Sequence, residues 1–548
     1  MSLPPHGGWR RTALCVALAA AALAPGTVGR ELMAPDEPRF ALVARDTAEL
    51  GEWLVPQLGG RPYLKKPPLL FWLEMLSFRL FGGPSETAAR VPCLMASLAT
   101  VALTHRTGRR WFGEPAATRG ALMLVAAPLF LMRGGWVATD PLLLAATLGT
   151  VVALDRANEG WRPGGPLAGV TLALGLLAKG PVALVWIVLA ALAAWGLASV
   201  RFSLRPLLRP LPVAIVLICA ILPLALAASR VGFEPLFATA WKESAQRYLA
   251  SWDNLRPVWF YPPKVFSGFF PWSLIALAAL LPGVRRALVL DPCRAWLLRW
   301  IVLGVLFFSI PGSKRLVYLF PLFPALGLVT ASVLPALLAA GRARHATGTV
   351  LALFAVTALA LGLALAVAPG VLPGPESLAV SEVRRVAVAM LILGAASLAV
   401  VAFGVTRGRG GVAAGAVMLA LGTGLLAPWT ADAVRTGIGA SRFGVIARAA
   451  VGGETAVAFA SSKGELAAWY SGLFGPILAR QPDLTGFLAG TPPLAVVGEP
   501  RELGPPDEWP AGTRVVAEGR VSDAELIVVR RDAASQRPSS PARCHCPF

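Results

Sequence analysis

The sequence predicts a polytopic α-helical membrane protein with a small α/β domain at its C-terminal end. Three observations predict it: a mean hydropathy of +0.65 with 56% apolar residues, apolar runs separated by arginine-rich turns, and a change of texture after residue 430. With only 15% charged residues, the apolar side chains cannot all be hidden inside one water-soluble core. The useful unit is therefore the run of about 20 apolar residues that crosses the hydrocarbon of a bilayer.

In chain order, spans are expected near 12–28, 88–105, 119–132, 139–154, 166–178, 181–199, 210–228, 264–284, 296–310, 316–338, 347–367, 385–405 and 411–428, thirteen in all. The runs 119–132, 166–178 and 296–310 are short, which fits tilted or broken helices shielded by neighbours. With the N-terminus inside, the cytoplasmic turns hold Arg106, Arg109, Arg110; Arg156, Arg162; Arg201, Arg205, Arg209; Arg285, Arg286, Arg294; Arg342, Arg344; and Arg407, Arg409. Short basic loops stay cytoplasmic, so these arginines account for much of the net charge of +20 without a nucleic-acid partner. Membrane lipids are the partners this basicity implies.

The loops 29–87, 133–138, 229–263, 311–315 and 369–384 then lie outside, together with everything after about 428. Basic residues in outer loops oppose the insertion bias, so Lys65, Lys66, Arg247, Lys314 and Arg315 call for an anionic ligand on that side. The segment Pro35–Trp72 is the richest, setting Asp36-Glu37 and Lys65-Lys66-Pro67-Pro68 directly after an apolar span. Carboxylates and lysines at a membrane face suit chemistry on a phosphorylated lipid. A cleaved signal peptide ending at AALAPG is the alternative reading of the first span, and it leaves the loop outside either way.

Four cysteines, Cys15, Cys93, Cys219 and Cys293, fall in or beside spans as small apolar fillers. The Cys544-His545-Cys546 tail lacks the second half of a metal motif. Beyond 430, β-prone runs at 455–460, 493–498, 513–519 and 524–530 alternate with Gly/Pro turns around a helical stretch near 464–472, so residues 430–532 are expected to form the α/β domain and 533–548 a disordered tail. RGRGG at 407–411 has no preceding strand and is a charged stop, not a nucleotide loop.

The phrases DEPRFA (36–41), GEWLVPQLGGRPYLKKPPLLFW (51–72), ATDPLLL (138–144), LAKGP (177–181), ESAQRY (243–248), PVWFY (257–261), FFPW (269–272) and SKRLVYLFPLFPAL (313–326) resemble the aminoarabinose transferase and protein O-mannosyltransferase family. These are polyprenyl-phosphate-sugar-dependent glycosyltransferases of the GT-C fold. The resemblance runs in order over roughly residues 10–430 and implies a GT-C domain at 1–429, in the bacterial cytoplasmic membrane with its active site facing the periplasm. It implies a polyprenyl (undecaprenyl) phosphate sugar donor, a lipid, glycan or protein acceptor, and no cofactor.

By the same resemblance Asp36 is the catalytic carboxylate, Glu37 its support, and Asp140 a second acid, with a helix N-cap before Pro141 as the alternative for Asp140. Lys66, stiffened by Pro67-Pro68, contacts the lipid phosphate. Lys314, Arg315 and Tyr318 form a second cluster that converges with Lys66 on one phosphate; headgroup snorkelling is the plainer reading of Lys314 and Arg315. Tyr63, Arg247, Tyr261 and Lys179 are weaker candidates for substrate contacts. Two positions depart from the pattern: Lys65 stands where the family often has Glu, and Asn254 stands where aminoarabinose transferases have His. That pair makes a poor metal site, so no metal is expected there, and the departure separates this chain from members that modify a lipid A phosphate. The competing readings are a polyprenyl-phosphate-binding transporter or flippase and a catalytically inactive relative that only binds the lipid phosphate; a transporter would place charges at the bilayer midplane in repeated halves, whereas here they cluster at the outer ends of spans.

Overall fold

The structure is a computed structural model. It describes residues 8–339 apart from 29, 198, 199, 201, 252, 271 and 279–289, scattered residues between 352 and 394, and residues 440–532 apart from 453, 454, 479, 480, 522 and 523. The span expected near 347–367 is described in part, with a short apolar helix at Ala355–Ala364; those near 385–405 and 411–428 lie largely or wholly outside the described residues, as do the RGRGG turn, the start of the C-terminal region at 430 and the Cys544-His545-Cys546 tail.

Helix α1 (Gly8–Thr27) packs along α4 (Glu86–Phe112). The start and stop of α4 are written in its residues. Ser85 caps it by accepting from the Ala88 amide, Glu86 sits in the first turn, Arg109 and Arg110 face the negative end of the dipole, and Gly113 at φ +80° ends it. The expected span 119–132 is broken: α5 (Glu114–Val125) stops at Ala126, and α6 (Pro128–Arg133) restarts on a proline that cannot donate to the preceding turn. Helices α7 (Thr139–Asn158), α8 (Gly164–Lys179) and α9 (Val182–Ala194) follow, the last two divided by Gly180-Pro181 with Gly180 at φ +70°. Next come α10 (Pro210–Val231), α11 (Phe233–Trp241), α12 (Tyr261–Gly268), α13 (Trp272–Ala278), α14 (Pro292–Ser309) and α15 (Phe323–Ala339).

Among the described residues four helices are long and apolar enough to cross a membrane: Glu86–Phe112, Pro210–Val231, Pro292–Ser309 and Leu316–Leu337. The segments Gly164–Lys179 and Val182–Ala194 are apolar but shorter. Aromatic packing closes the core between α9 and α14, where Trp186 stacks on Phe308 and the Trp296 and Trp300 indoles donate to the Ala190 and Trp186 carbonyls.

The first outer loop is folded. Helix α2 (Asp36–Glu49), a two-stranded turn pairing β1 (Gln57–Leu58) with β2 (Arg61–Pro62), and α3 (Leu69–Leu80) occupy it. The C-terminal region forms a five-stranded sheet in the order β4-β3-β5-β7-β6, from Ile477–Leu478, Ala456–Ala460, Leu494–Gly498, Ala524–Arg531 and Thr513–Val521. Strands β4, β3 and β5 run parallel, whereas β7 is antiparallel to both β5 and β6. Helices α16 (Ala440–Val451) and α17 (Ser461–Ser471) pack together and seat the sheet on the outer loop. There Ser441 donates to Glu31, the Leu32 amide donates to the Tyr470 hydroxyl at 2.8 Å, and Arg45 reaches the Ala468 carbonyl at 3.1 Å.

Candidate active site

Glu37 anchors the outer loop rather than its chemistry. Its side chain is fully buried and accepts from Arg90 Nε and Nη2, both at 2.9 Å, from Arg30 Nη2 at 3.2 Å, and from the amides of Met33 (2.9 Å) and Val137 (3.1 Å). Burial pushes the carboxyl up, but the Arg90 and Arg30 guanidiniums outweigh it and hold the group at about 2. Arg90 also donates to the Arg30 and Glu31 carbonyls. With no surface left for substrate, its work is to fix the chain entering α2 and so to place Asp36.

That clamp leaves Asp36, one residue earlier, facing outward at the first turn of α2, with Arg315 Nη1 at 3.9 Å from its Oδ2. One turn further on, Arg39 Nε meets Glu465 Oε1 of α17 at 2.7 Å. Beside them, Lys66 Nζ lies 3.5 Å from Glu243 Oε2, and Arg247 Nη2 lies 3.3 Å from the same oxygen and 3.4 Å from Asp253 Oδ2. Asp140, at the start of α7, forms a close ion pair with Lys179 at the end of α8. The Lys179 ammonium stands 5.3 Å above the Tyr318 ring, and the Tyr318 hydroxyl bonds to Arg247. Burial pulls Lys66 below the usual lysine range, opposed by Glu243, while Lys179 and Arg247 pull the same way as burial.

Two loops lock this arrangement. Leu255 bridges Ser313, the Arg256 amide donates to Gly312, the Lys314 amide donates to Asn254, and Ser313 Oγ donates to Asp253 at 2.8 Å. Asn254 takes the left-handed φ of +49°, a conformation that Asn tolerates better than most residues. Lys314 is only 3% exposed and donates its ammonium to the Arg256 carbonyl at 3.0 Å and to the Pro311 carbonyl. In this structure it pins the loop, its ammonium turned to those two carbonyls. Lys66 is accompanied instead by Arg247 and Lys179.

Tyr261 is fully buried and donates to the Arg315 carbonyl at 3.4 Å, so it supports Arg315 from behind. Tyr63 is buried edge-on against Phe71, within the electrostatic reach of Arg39, Glu465, Glu243 and Asp36. Glu243, Asp253, Arg39 and Glu465 escaped the sequence reading. The first three stand inside or beside the phrases DEPRFA, ESAQRY and PVWFY, but an acidic residue on an outer loop carries no signal comparable to a misplaced lysine. Among the described residues no three His, Cys, Asp or Glu side chains gather around a common point.

An apolar groove of about 1040 Å³ lies next to this cluster. Leu69 and Leu73 of α3, Leu142 of α7 and Leu174 of α8 line it, and it follows α4 down to Arg106.

Residues 65–226 match the family model described as dolichyl-phosphate-mannose-protein mannosyltransferase. The structure superimposes on the crystal structure of ArnT from Cupriavidus metallidurans bound to undecaprenyl phosphate, with a TM-score of 0.74 at 21% identity, covering 98% of this chain and 100% of that one. The chain has the GT-C fold of the aminoarabinose transferases. Its sequence is 32% identical over 356 residues to the undecaprenyl phosphate-alpha-4-amino-4-deoxy-L-arabinose arabinosyl transferase of Pectobacterium carotovorum, covering 61% of this chain and 62% of that one. It is 30% identical over 387 residues to arabinosyl transferase 1 of Sodalis glossinidius, covering 66% of each. The match thus spans about 62% of the length of the first of these relatives. In this GT-C fold the charged cluster sits by α2 and the loop before α3, near the start of α7 and the end of α8.

Proposed function

We propose that the protein transfers a sugar from a polyprenyl phosphate carrier to a lipid, glycan or protein acceptor on the outer side of the bacterial cytoplasmic membrane. The observation that carries this reading is the pair of cations, Lys66 and Arg247, held around a single anionic oxygen at the membrane face beside Asp36. Relatives named for undecaprenyl phosphate chemistry support it, and the adjoining apolar groove gives the lipid part of such a donor a place beside α3 and α7.

In this mechanism the acceptor oxygen attacks the anomeric carbon of the donor sugar. The bond from that carbon to the phosphate oxygen breaks, and its electron pair leaves with the phosphate. Asp36 orients the acceptor hydroxyl and takes its proton, with Arg315 standing beside the carboxylate. Lys66 and Arg247 stabilise the charge that grows on the departing phosphate, and they are worth most in a site that excludes water. Asp140, Lys179 and Tyr318 form the wall between phosphate and sugar.

The test is reconstitution of the purified protein in vesicles with a polyprenyl phosphate sugar and an envelope acceptor. Transfer by the wild-type protein, lost in Lys66→Ala, is expected. Efficient transfer from a soluble sugar nucleotide without lipid contradicts the proposal, and movement of the lipid across the vesicle without transfer favours a flippase.

A further inference from the structure

Resting on the donor-phosphate reading above, we propose that Glu243 fills the anion site of the ligand-free protein and is displaced by the donor phosphate. It thereby sets donor affinity, and its return drives out the lipid phosphate product.

Geometry is the first support. One oxygen, Glu243 Oε2, faces both Lys66 Nζ at 3.5 Å and Arg247 Nη2 at 3.3 Å. Tight charge-assisted bonds measure about 2.7–2.9 Å, so the gap between the cations is wider than one carboxylate oxygen fills. A phosphate presents several oxygens to the same gap.

Charge is the second. The Lys66 and Arg247 side chains are only 24% and 20% exposed, and two cations held together away from water require an anion. The neighbouring carboxylates have other duties: Asp140 pairs with Lys179, and Asp253 accepts from Ser313 while facing Arg247. Among the ion pairs of the described residues Glu243 is the carboxylate that meets both Lys66 and Arg247, with a single negative charge. A donor phosphodiester also carries one, so the exchange is charge-neutral. The product is a monoester with a charge of about −1.5 to −2 near neutral pH, and it would cling to the cations unless a competing carboxylate stood ready.

The third support is the backbone. Glu243 lies in a π-helical turn, Lys242–Gln246, that joins α11 to Arg247. Single π turns are enriched at functional sites because the widened turn re-aims the side chains it carries. None of the residues of Phe233–Trp241 or Lys242–Gln246 is buried. Moving Glu243 aside therefore breaks no core packing, as expected of a segment at the low-stability end of a fold.

The experiment measures binding of decaprenyl phosphate and of decaprenol to the full-length protein in detergent, for wild type and Glu243→Gln. The variant is expected to bind decaprenyl phosphate roughly tenfold more tightly, the weight of one half-buried ion pair, and decaprenol with unchanged affinity. In turnover it should show a lower kcat limited by product release. Unchanged or weaker phosphate binding overturns the proposal, as does equal tightening toward decaprenol. Should Glu243→Gln fail to fold, Glu243→Asp, which keeps the charge but withdraws it by one methylene, is expected to tighten phosphate binding by a smaller factor; unchanged affinity there overturns the proposal too. If the wild-type protein binds decaprenyl phosphate no better than decaprenol, the donor reading itself fails, which is a different result.

Discussion

Arg39 Nε and Glu465 Oε1 stand 2.7 Å apart although 426 residues separate them in the chain. This ion pair joins the helix that carries Asp36 to the first turns of α17, so a helix of the C-terminal region stands beside the candidate site. The Glu465 side chain is 4% exposed and that of Arg39 28%. Burial pushes the Glu465 carboxyl up and Arg39 opposes it.

Removing one partner of such a pair strands the other. Arg39→Ala is expected to destabilise the packing of the C-terminal domain on α2 by about 3 kcal/mol, and Glu465→Gln by less, because the amide still accepts a bond. Thermal melting of the purified protein measures this; equal melting of wild type and Arg39→Ala would show that the contact contributes nothing.

Asp36→Asn keeps the shape of the side chain and removes its basicity. Transfer is expected to fall by roughly 10²–10⁴-fold, the usual contribution of a positioned base, while polyprenyl phosphate binding and melting stay close to wild type. Wild-type turnover in the purified variant would exclude Asp36 from the chemistry.

Lys66→Ala is expected to weaken polyprenyl phosphate binding by roughly 10–100-fold, the weight of a charge-assisted bond to phosphate. Lys66→Arg restores the charge but presents a planar fork in place of a point, so it should recover binding better than kcat. Full recovery of both by arginine would mean that position 66 needs only a positive charge.

Lys314→Met removes the pin between the two outer loops and leaves the Arg256 and Pro311 carbonyls without their donor. A loss of about 1–3 kcal/mol in stability is expected, with kcat reduced through displaced Arg315 and donor affinity nearly unchanged. A selective loss of donor affinity without loss of stability would return Lys314 to the phosphate site.

The Glu37 clamp has a pH signature. Its folded pKa of about 2 lies below the ordinary 4.5, so the stability it contributes is fully present above about pH 4.5 and is lost as pH falls toward 2. The contribution is on the order of 3 kcal/mol. Glu37→Gln should melt lower than wild type at pH 7, and the difference should shrink progressively below pH 4.5; a constant difference across that range would contradict the assignment.

Much of this protein follows from its sequence by itself. Apolar runs separated by short basic turns mark the membrane helices because hydrocarbon admits no unpaired backbone, and α1, α4, α7, α8, α9 and α10 fall within a few residues of the expected spans. The runs 455–460, 493–498, 513–519 and 524–530 coincide with strands β3, β5, β6 and β7, since alternation and β-branching are local properties. Lysines in the loop after the first span stand out in the sequence because insertion disfavours them on the outer side. Tertiary structure decided the rest. Which carboxylate of Asp36-Glu37 meets solvent depends on Arg90 and Val137, 53 and 100 residues beyond Glu37. Whether a lysine pairs with a carboxylate or pins a loop depends on the groups it faces, as Lys66 and Lys314 show. The partnership of Lys66 with Glu243, 177 residues away, arises only when the spans pack and bring distant loops to one end. Charge is legible in a sequence; the partner that neutralises it is a matter of distance, and distance belongs to the fold.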